Sequence, residues 1–169
     1  MLRRTPLRKV SKKKLDQIAA GNLKLVRKAL SPSKNTKSLA KSRAWDWFSK
    51  FIRLRDADEH GYIKCITCGK RKHWRDNVDA GHFVTRAKES TLFDEKNVHA
   101  QCKGCNRFQG GKFLEHEIAI NRKYGPGTQE GLKIKALQHC KRTLTDYLFI
   151  EQTYKLRVKT ILEKQPGKA

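Results

Sequence analysis

The chain has 169 residues and carries 39 Lys plus Arg against 16 Asp plus Glu, a formal net charge of +23 and a pI near 10.2, so it is long enough for one domain with extensions and too short for two full-sized cores. So large an excess of one sign calls for a polyanion, and nucleic acid is the first candidate because neutralised phosphates release counterions, whereas a basic membrane binder would want an amphipathic helix with a clean apolar face. No run of 18 apolar residues exists and MLRRTPLRKVSKKK has no apolar signal core, which excludes a membrane reading and makes a cytoplasmic protein the expectation.

Residues 1–43 hold 14 Lys or Arg and a single acid, Asp16, with the breakers Pro6, Gly21 and Pro32. The stretch LDQIAAGNLKLVRKAL (15–30) would form a short basic helix on contact with a partner, yet alone it reads as a mostly disordered arm, and a plain solubilising tail is the other reading. We place this arm over residues 1–38. From about Leu39 the pattern changes: Ala44, Trp47, Phe48, Phe51 and Ile52 recur at helical spacing until Asp56 and Asp58 end the run before Gly61. Residues 62–110 are rich in turn residues, with strand-like pieces at YIKCI, VDAGHFV and NVHAQC. KFLEHEIAINRKYG (112–125) is a helix closed by Gly125, and Pro126 with Gly127 breaks the chain. Thr143 with Asp146 then forms an N-cap arrangement. It opens a helix of about five turns in which Leu144, Leu148, Glu151, Lys155, Val158 and Leu162 trace one face, with Tyr147, Tyr154 and Ile161 beside it. Broken by Glu151 and Lys155, that stripe reads as intramolecular packing rather than a coiled-coil seam. The organisation is therefore an arm (1–38), a helix plus metal-held core (39–125) and a C-terminal helical extension (126–169).

Four of the five cysteines form two CxxC pairs, Cys65 with Cys68 and Cys102 with Cys105. Each pair is a tight turn that aims two thiolates at one point, and two such turns supply the four ligands of a tetrahedral structural Zn2+. The odd count and the lack of a signal argue against a disulfide framework. Cys140 is the spare, in a helical-looking segment, and reads as a small packing residue. A plain ribbon has about 15–20 residues between knuckles, and here 33 separate Cys68 from Cys102. The extra chain holds VDAGHFV and NVHAQC, two strands that zinc would clamp with the precision that chemistry requires.

The order Cys65, Cys68, Gly81–His82, Asn97, then Cys102 to Cys105 joined directly to Asn106 resembles the HNH or ββα-metal nuclease fold. More closely, DAGH followed by NVHAQCKGCN resembles the phage NinG recombination proteins, also called Rap, over roughly residues 45–125, and phage recombination endonuclease VII is similar in pattern. The resemblance implies an α+β fold: a small zinc-bound ββα-metal (HNH) nuclease core flanked by helices, with the basic arm in front. It implies a structure-specific endonuclease of a phage-infected or lysogenic bacterial host, acting on branched DNA such as Holliday junctions and displacement loops. Phosphodiester cleavage needs a water made nucleophilic and a stabilised 3′ oxygen, which suits a histidine base and a divalent cation. His82 is the expected base, and Gly81 before it would let the DNA backbone approach. On the family pattern Asn106 is a ligand of a catalytic Mg2+ or Mn2+ through its amide oxygen, and Asn97 orients the base and its loop without binding metal. Where many relatives have Asp directly before the base, this chain has Gly81. Asp79, the nearest carboxylate, either reaches the metal across a bulge or caps a turn.

His99 shares a face with Asn97 and Gln101 if NVHAQC is extended, and stands behind the site, towards DNA or simply packed. Lys103, Arg107 and Lys112 would fall beside the phosphate groove next to the second knuckle, and Arg86 and Lys88 next to the first. His60, His73, His116 and His139 show no ligand spacing and read as surface or packing residues. The competing reading is a non-catalytic zinc-ribbon protein that holds recombination junctions, and a ribosome-associated zinc protein is a third; neither needs His82 or Asn106. A homodimer is attractive because resolving a junction takes two symmetric cuts.

Overall fold

The computed structural model of the chain describes residues 36–168. The arm expected over 1–38 therefore lies, up to residue 35, outside the described residues. The first helix, α1, spans Lys37–Arg55. It is capped by the side chain of Thr36, which accepts from Leu39 N at 3.4 Å, and it buries Ala40, Ala44, Phe48, Phe51, Ile52 and Leu54. Its far end is closed by a residue more than a hundred positions away: the buried Lys168 donates through Nζ to Leu54 O at 3.1 Å and Ala57 O at 2.6 Å. A cation at a helix C-terminus meets the free carbonyls and the negative end of the dipole.

Two small antiparallel sheets follow. Strand β1 (Tyr62–Lys64) pairs with β2 (Arg71–His73), and β3 (Val78–His82) pairs with β4 (Val98–Cys102), Val78 opposite Cys102 and His82 opposite Val98. The strand β2 has no counterpart among the expected pieces. After β4 the chain makes one widened helical turn, Gly104–Phe108, and continues into α2 (Phe113–Tyr124), α3 (Thr128–Lys135) and α4 (Leu144–Lys164). The fold class is α+β. Cys140 lies in the irregular link between α3 and α4, not in a helix; α3 closes earlier, with Ala136 as its cap.

The expected capping box opens α4: Thr143 N donates to Asp146 Oδ2 at 2.6 Å and Asp146 N donates to Thr143 Oγ1 at 3.2 Å. The helix packs on α1, as intramolecular packing requires, but its buried face runs Tyr147, Glu151, Tyr154, Val158. Leu144, Leu148 and Leu162 sit at its edges, and Lys155 is exposed rather than on the packed face. The tyrosine rings win the interior because their area exceeds that of leucine and their hydroxyls find acids, Glu89 at 2.6 Å and Glu95 at 3.0 Å. Glu151 is made tolerable by Arg43 Nε, 3.0 Å from both of its oxygens. One core joins the inner faces of α1 and α4 to Ile63, Val78, Val98, Ala100 and three of the paired cysteines; a smaller cluster of Phe83, Ile120 and Leu132 seats α2 and α3. Among the described residues no helix is long and apolar enough to cross a membrane.

Candidate functional site

The two CxxC turns meet. The Sγ atoms of Cys65, Cys68, Cys102 and Cys105 all lie within 4.8 Å of one another, with Cys68 and Cys102 at 3.8 Å. A ZnS4 tetrahedron with bonds of about 2.3 Å has an edge of about 3.8 Å, so the cluster is compatible with a structural zinc ion. Backbone geometry builds it: Gly69 N donates to Cys65 O at 2.9 Å, and Cys102 N donates to Cys65 Sγ at 3.3 Å. Against burial, the bonds from Thr67 and Cys102 bring the Cys65 thiol down to about 6, while burial and the sulfur neighbours push Cys68 up. Four thiols so close cannot all ionise unaided, and a cation resolves that competition.

The cluster pins the open end of the β3–β4 hairpin, and one face of that hairpin carries a cleft of about 670 Å³. Asp79, His82 and Asn106 line it together with Arg53, Arg75, Arg86, Lys103 and Arg107. Asp79 is the sole acid among these lining residues, so the cleft focuses positive potential. The imidazole of His82 is part-buried and stacks on Trp45 with ring centroids 4.9 Å apart. Its Nε2 lies 3.0 Å from Leu92 O. A carbonyl only accepts, so Nε2 carries the proton of the neutral ring and Nδ1 keeps its lone pair. Burial, with Arg86 nearby, pushes His82 down to about 4 although the Leu92 bond opposes this. The ring is therefore a neutral proton acceptor at physiological pH.

Asp79 projects from β3 towards the widened turn. Asn106 Nδ2 donates to its Oδ2 at 3.0 Å, and Arg107 holds both oxygens through Nε at 2.7 Å and Nη2 at 2.9 Å. Against burial, Arg107 and Asn106 keep the carboxyl below the usual carboxylate range. Gly81 is buried, and its lack of a side chain serves the interior rather than an approaching backbone: a Cβ there would run into Gln101 Oε1 and stand 3.1 Å from Asn106 Oδ1. Gln101 is itself buried, with Nε2 donating to Thr67 Oγ1 at 3.1 Å and Gly111 O at 2.7 Å, and Oε1 without a partner.

Asn97 is fully buried at the end of the loop that joins β3 to β4. Its Nδ2 donates to Val84 O and Thr91 O, each at 3.0 Å, and its Oδ1 accepts from Val84 N at 2.6 Å. One side chain thus staples the two ends of the loop whose Leu92 carbonyl holds His82. His99 turns away from the cleft and is packed: Nδ1 meets His116 Nε2 at 3.3 Å and Nε2 meets Tyr124 Oη at 3.1 Å. Burial holds these imidazoles down, His99 to about 3 and His116 to about 4.

Of the five basic residues expected beside a phosphate groove, Arg86, Lys103 and Arg107 line the cleft and Lys88 and Lys112 do not. Lys112 instead turns back on Glu115 at 3.0 Å. Sequence reading missed Trp45, Arg53 and Arg75. Trp45 lies off the buried stripe of α1, and its i, i+4, i+8 alignment with Ser49 and Arg53, which also line the cleft, is the signal in the sequence. Arg86 stacks on the same ring at 4.1 Å, so Trp45 contacts both a cleft cation and the His82 imidazole.

A family model described as Bacteriophage Lambda NinG protein matches residues 3–164. The chain is 29% identical to Protein ninG of Escherichia phage 933W over 142 residues, covering 82% of this chain and 64% of that protein. It is 28% identical to Protein ninG of Salmonella phage P22, covering 85% and 66%, and 28% identical to Protein ninG of Escherichia phage lambda, covering 82% and 63%. It therefore spans a little under two thirds of the length of these relatives. No solved structure matches it. The chain belongs to the NinG family.

Proposed function

We propose that this chain is a divalent-metal-dependent, structure-specific endonuclease that hydrolyses phosphodiester bonds in branched DNA, with Holliday junctions and displacement loops as its substrate class. The observation that carries the reading is the pairing, in one basic cleft, of a neutral imidazole fixed through Nε2 with a carboxylate and amide 3.0 Å apart. A hairpin ending in a helical turn, with the base on the first strand and the amide on the turn, supports the ββα-metal comparison drawn from the motif.

The residues present fit a hard cation. Asp79 would offer carboxylate oxygens and Asn106 an amide oxygen, the hard donors that Mg2+ takes, and the two side chains already meet in the cleft. Turning the amide over would present its oxygen to the same point. When bound there, Mg2+ or Mn2+ would polarise the scissile phosphate and stabilise the departing 3′ oxygen. The chain's own groups supply the rest. Arg53, Arg75, Arg86, Lys103 and Arg107 hold the DNA phosphates. His82 Nδ1 takes a proton from the water that attacks phosphorus as the bond to the 3′ oxygen breaks. Asn97 keeps the loop, and through Leu92 O the imidazole, in place. Paired cuts across a junction would come from two chains related by a two-fold axis.

One observation favours the second reading, a non-catalytic junction-holding protein: Arg107 already neutralises Asp79, as in an ordinary structural ion pair. End-labelled four-way junction, fork and linear duplex incubated with zinc-replete protein and Mg2+ separate the two. Nicks near the branch support the nuclease. Tight junction binding with no cut under Mg2+ or Mn2+ supports the holding protein.

A further inference from the structure

We infer that Phe108 is a wedge that stacks on an unpaired or unstacked nucleobase at the branch point; this rests on the nucleic-acid part of the reading above. Phe108 is 83% exposed, more than any other large apolar side chain among the described residues. The turn that carries it dictates the exposure. Gly104–Phe108 sends Cys105 into the thiol cluster and Asn106 and Arg107 towards Asp79, so the ring that follows projects outward.

The return path is equally fixed. Gly110 and Gly111 have φ of 57° and 78°, a conformation that glycine adopts at little cost, and the chain doubles back directly after the ring. Gly111 N donates to Cys105 O at 3.0 Å and Gly111 O accepts from Gln101 Nε2 at 2.7 Å. Phe108 is thus held out on a turn anchored to the knuckle, between Arg107 and Gly110, which both line the basic cleft. Other strongly exposed apolar side chains, such as Leu114, Ile134 and Phe149 on helices and Leu137 in the turn after α3, are not flanked by residues of the basic cleft, and isolated exposure of that kind is ordinary.

The chemistry around the ring selects the partner. Cations bring phosphate, and an aromatic ring stacks on a base of any identity. A continuous duplex has no free base face to offer, whereas a junction or fork exposes base faces at its branch, so an apolar wedge reads structure rather than sequence. Trp45 is already engaged by His82 and Arg86, which leaves the task to Phe108.

The test is binding of the full-length, zinc-replete protein, without added Mg2+, to a synthetic four-way junction, a fork and a linear duplex of equal length at two salt concentrations. Phe108→Ala should lower the preference for branched over linear DNA roughly ten-fold or more, with duplex affinity and the salt dependence unchanged because no charge is lost. Phe108→Trp should retain the preference and Phe108→Leu should not restore it. A wild-type protein without branch preference, an unchanged preference in Phe108→Ala, or full function in Phe108→Leu would overturn the wedge. So would a wild-type dimer that Phe108→Ala dissociates, which would give the ring to a second copy. Because the readout is binding, a Phe108-dependent preference without any cleavage removes the nuclease reading and leaves the wedge, while cleavage with unchanged preference removes the wedge alone.

Discussion

Replacing Asn97 by Ala removes the three hydrogen bonds of a buried side chain at once: two from Nδ2, to Val84 O and Thr91 O, and one accepted from Val84 N. At about 1 kcal/mol net per bond the loss is about 3 kcal/mol, and more wherever water does not reach the orphaned groups. For a folded unit of this size that corresponds to a fall in Tm on the order of 10 °C. Catalysis should suffer separately. Thr91 precedes Leu92, whose carbonyl fixes His82 Nε2 at 3.0 Å, so a loosened loop lets the imidazole turn. Cleavage of a labelled junction at a temperature where the variant is still folded should slow roughly 10- to 100-fold, with zinc content unchanged because no thiol is touched. Asn97→Asp keeps the acceptor but faces two carbonyls with a charge, and should be at least as damaging. Melts by circular dichroism, zinc analysis and single-turnover cutting measure the three quantities. If Asn97→Ala melts within about 2 °C of the parent and cuts at the parental rate, the staple does not hold the site together.

Cys68→Ser should lower the zinc content and collapse the hairpin unit, because small metal-held units fold on their metal, whereas Cys140→Ser, in the link before α4, should do neither; zinc analysis with thermal melts decides both. Burial holds His99 to about 3 and His116 to about 4, below the usual 6.5, so protonation favours the unfolded chain: stability is full above pH 6.5 and is lost as pH falls towards the folded values. At pH 5 each imidazole costs about 2 kcal/mol relative to neutral pH. His116→Gln should therefore melt with a shallower pH dependence between pH 7 and 5 than the parent, and parallel curves would show that this buried pair does not drive the acid loss.

Legibility tracked how local each signal was. Each CxxC turn and the Thr143–Asp146 box join residues only a few positions apart, and the strand within VDAGHFV shows in its own composition, so the local sequence located them. The strand β2 is three polar residues, RKH, which carry no period; it exists because β1 supplies a ladder and Arg71 rests over the Tyr62 ring at 4.8 Å. The inner face of α4 depends on Glu89 and Glu95 reaching its tyrosines from the loop between β3 and β4, partners some sixty residues away. For the same reason Trp45, Arg53 and Arg75 were not read as site residues. Which flank of α1 faces the cleft follows from how it docks on the hairpin. Lys88 and Lys112 are near the site in sequence, yet neither lines the cleft, and Lys112 pairs with Glu115 instead. The residue type at Gly81 was noticed, but its cause, the Gln101 amide across the hairpin, is visible only in three dimensions.

The most direct measurement of the central claim is the cutting rate of His82→Ala beside Asn106→Ala on a labelled four-way junction, across a titration of Mg2+ and Mn2+ and at saturating, zinc-replete protein. His82→Ala should bind junction normally and cut two to four orders of magnitude more slowly, roughly, at every metal concentration, since no cation replaces a missing proton acceptor. Asn106→Ala should recover part of its activity as the metal is raised. Normal cutting by His82→Ala, or rescue of both variants by metal alike, would contradict the assignment of His82 as the base.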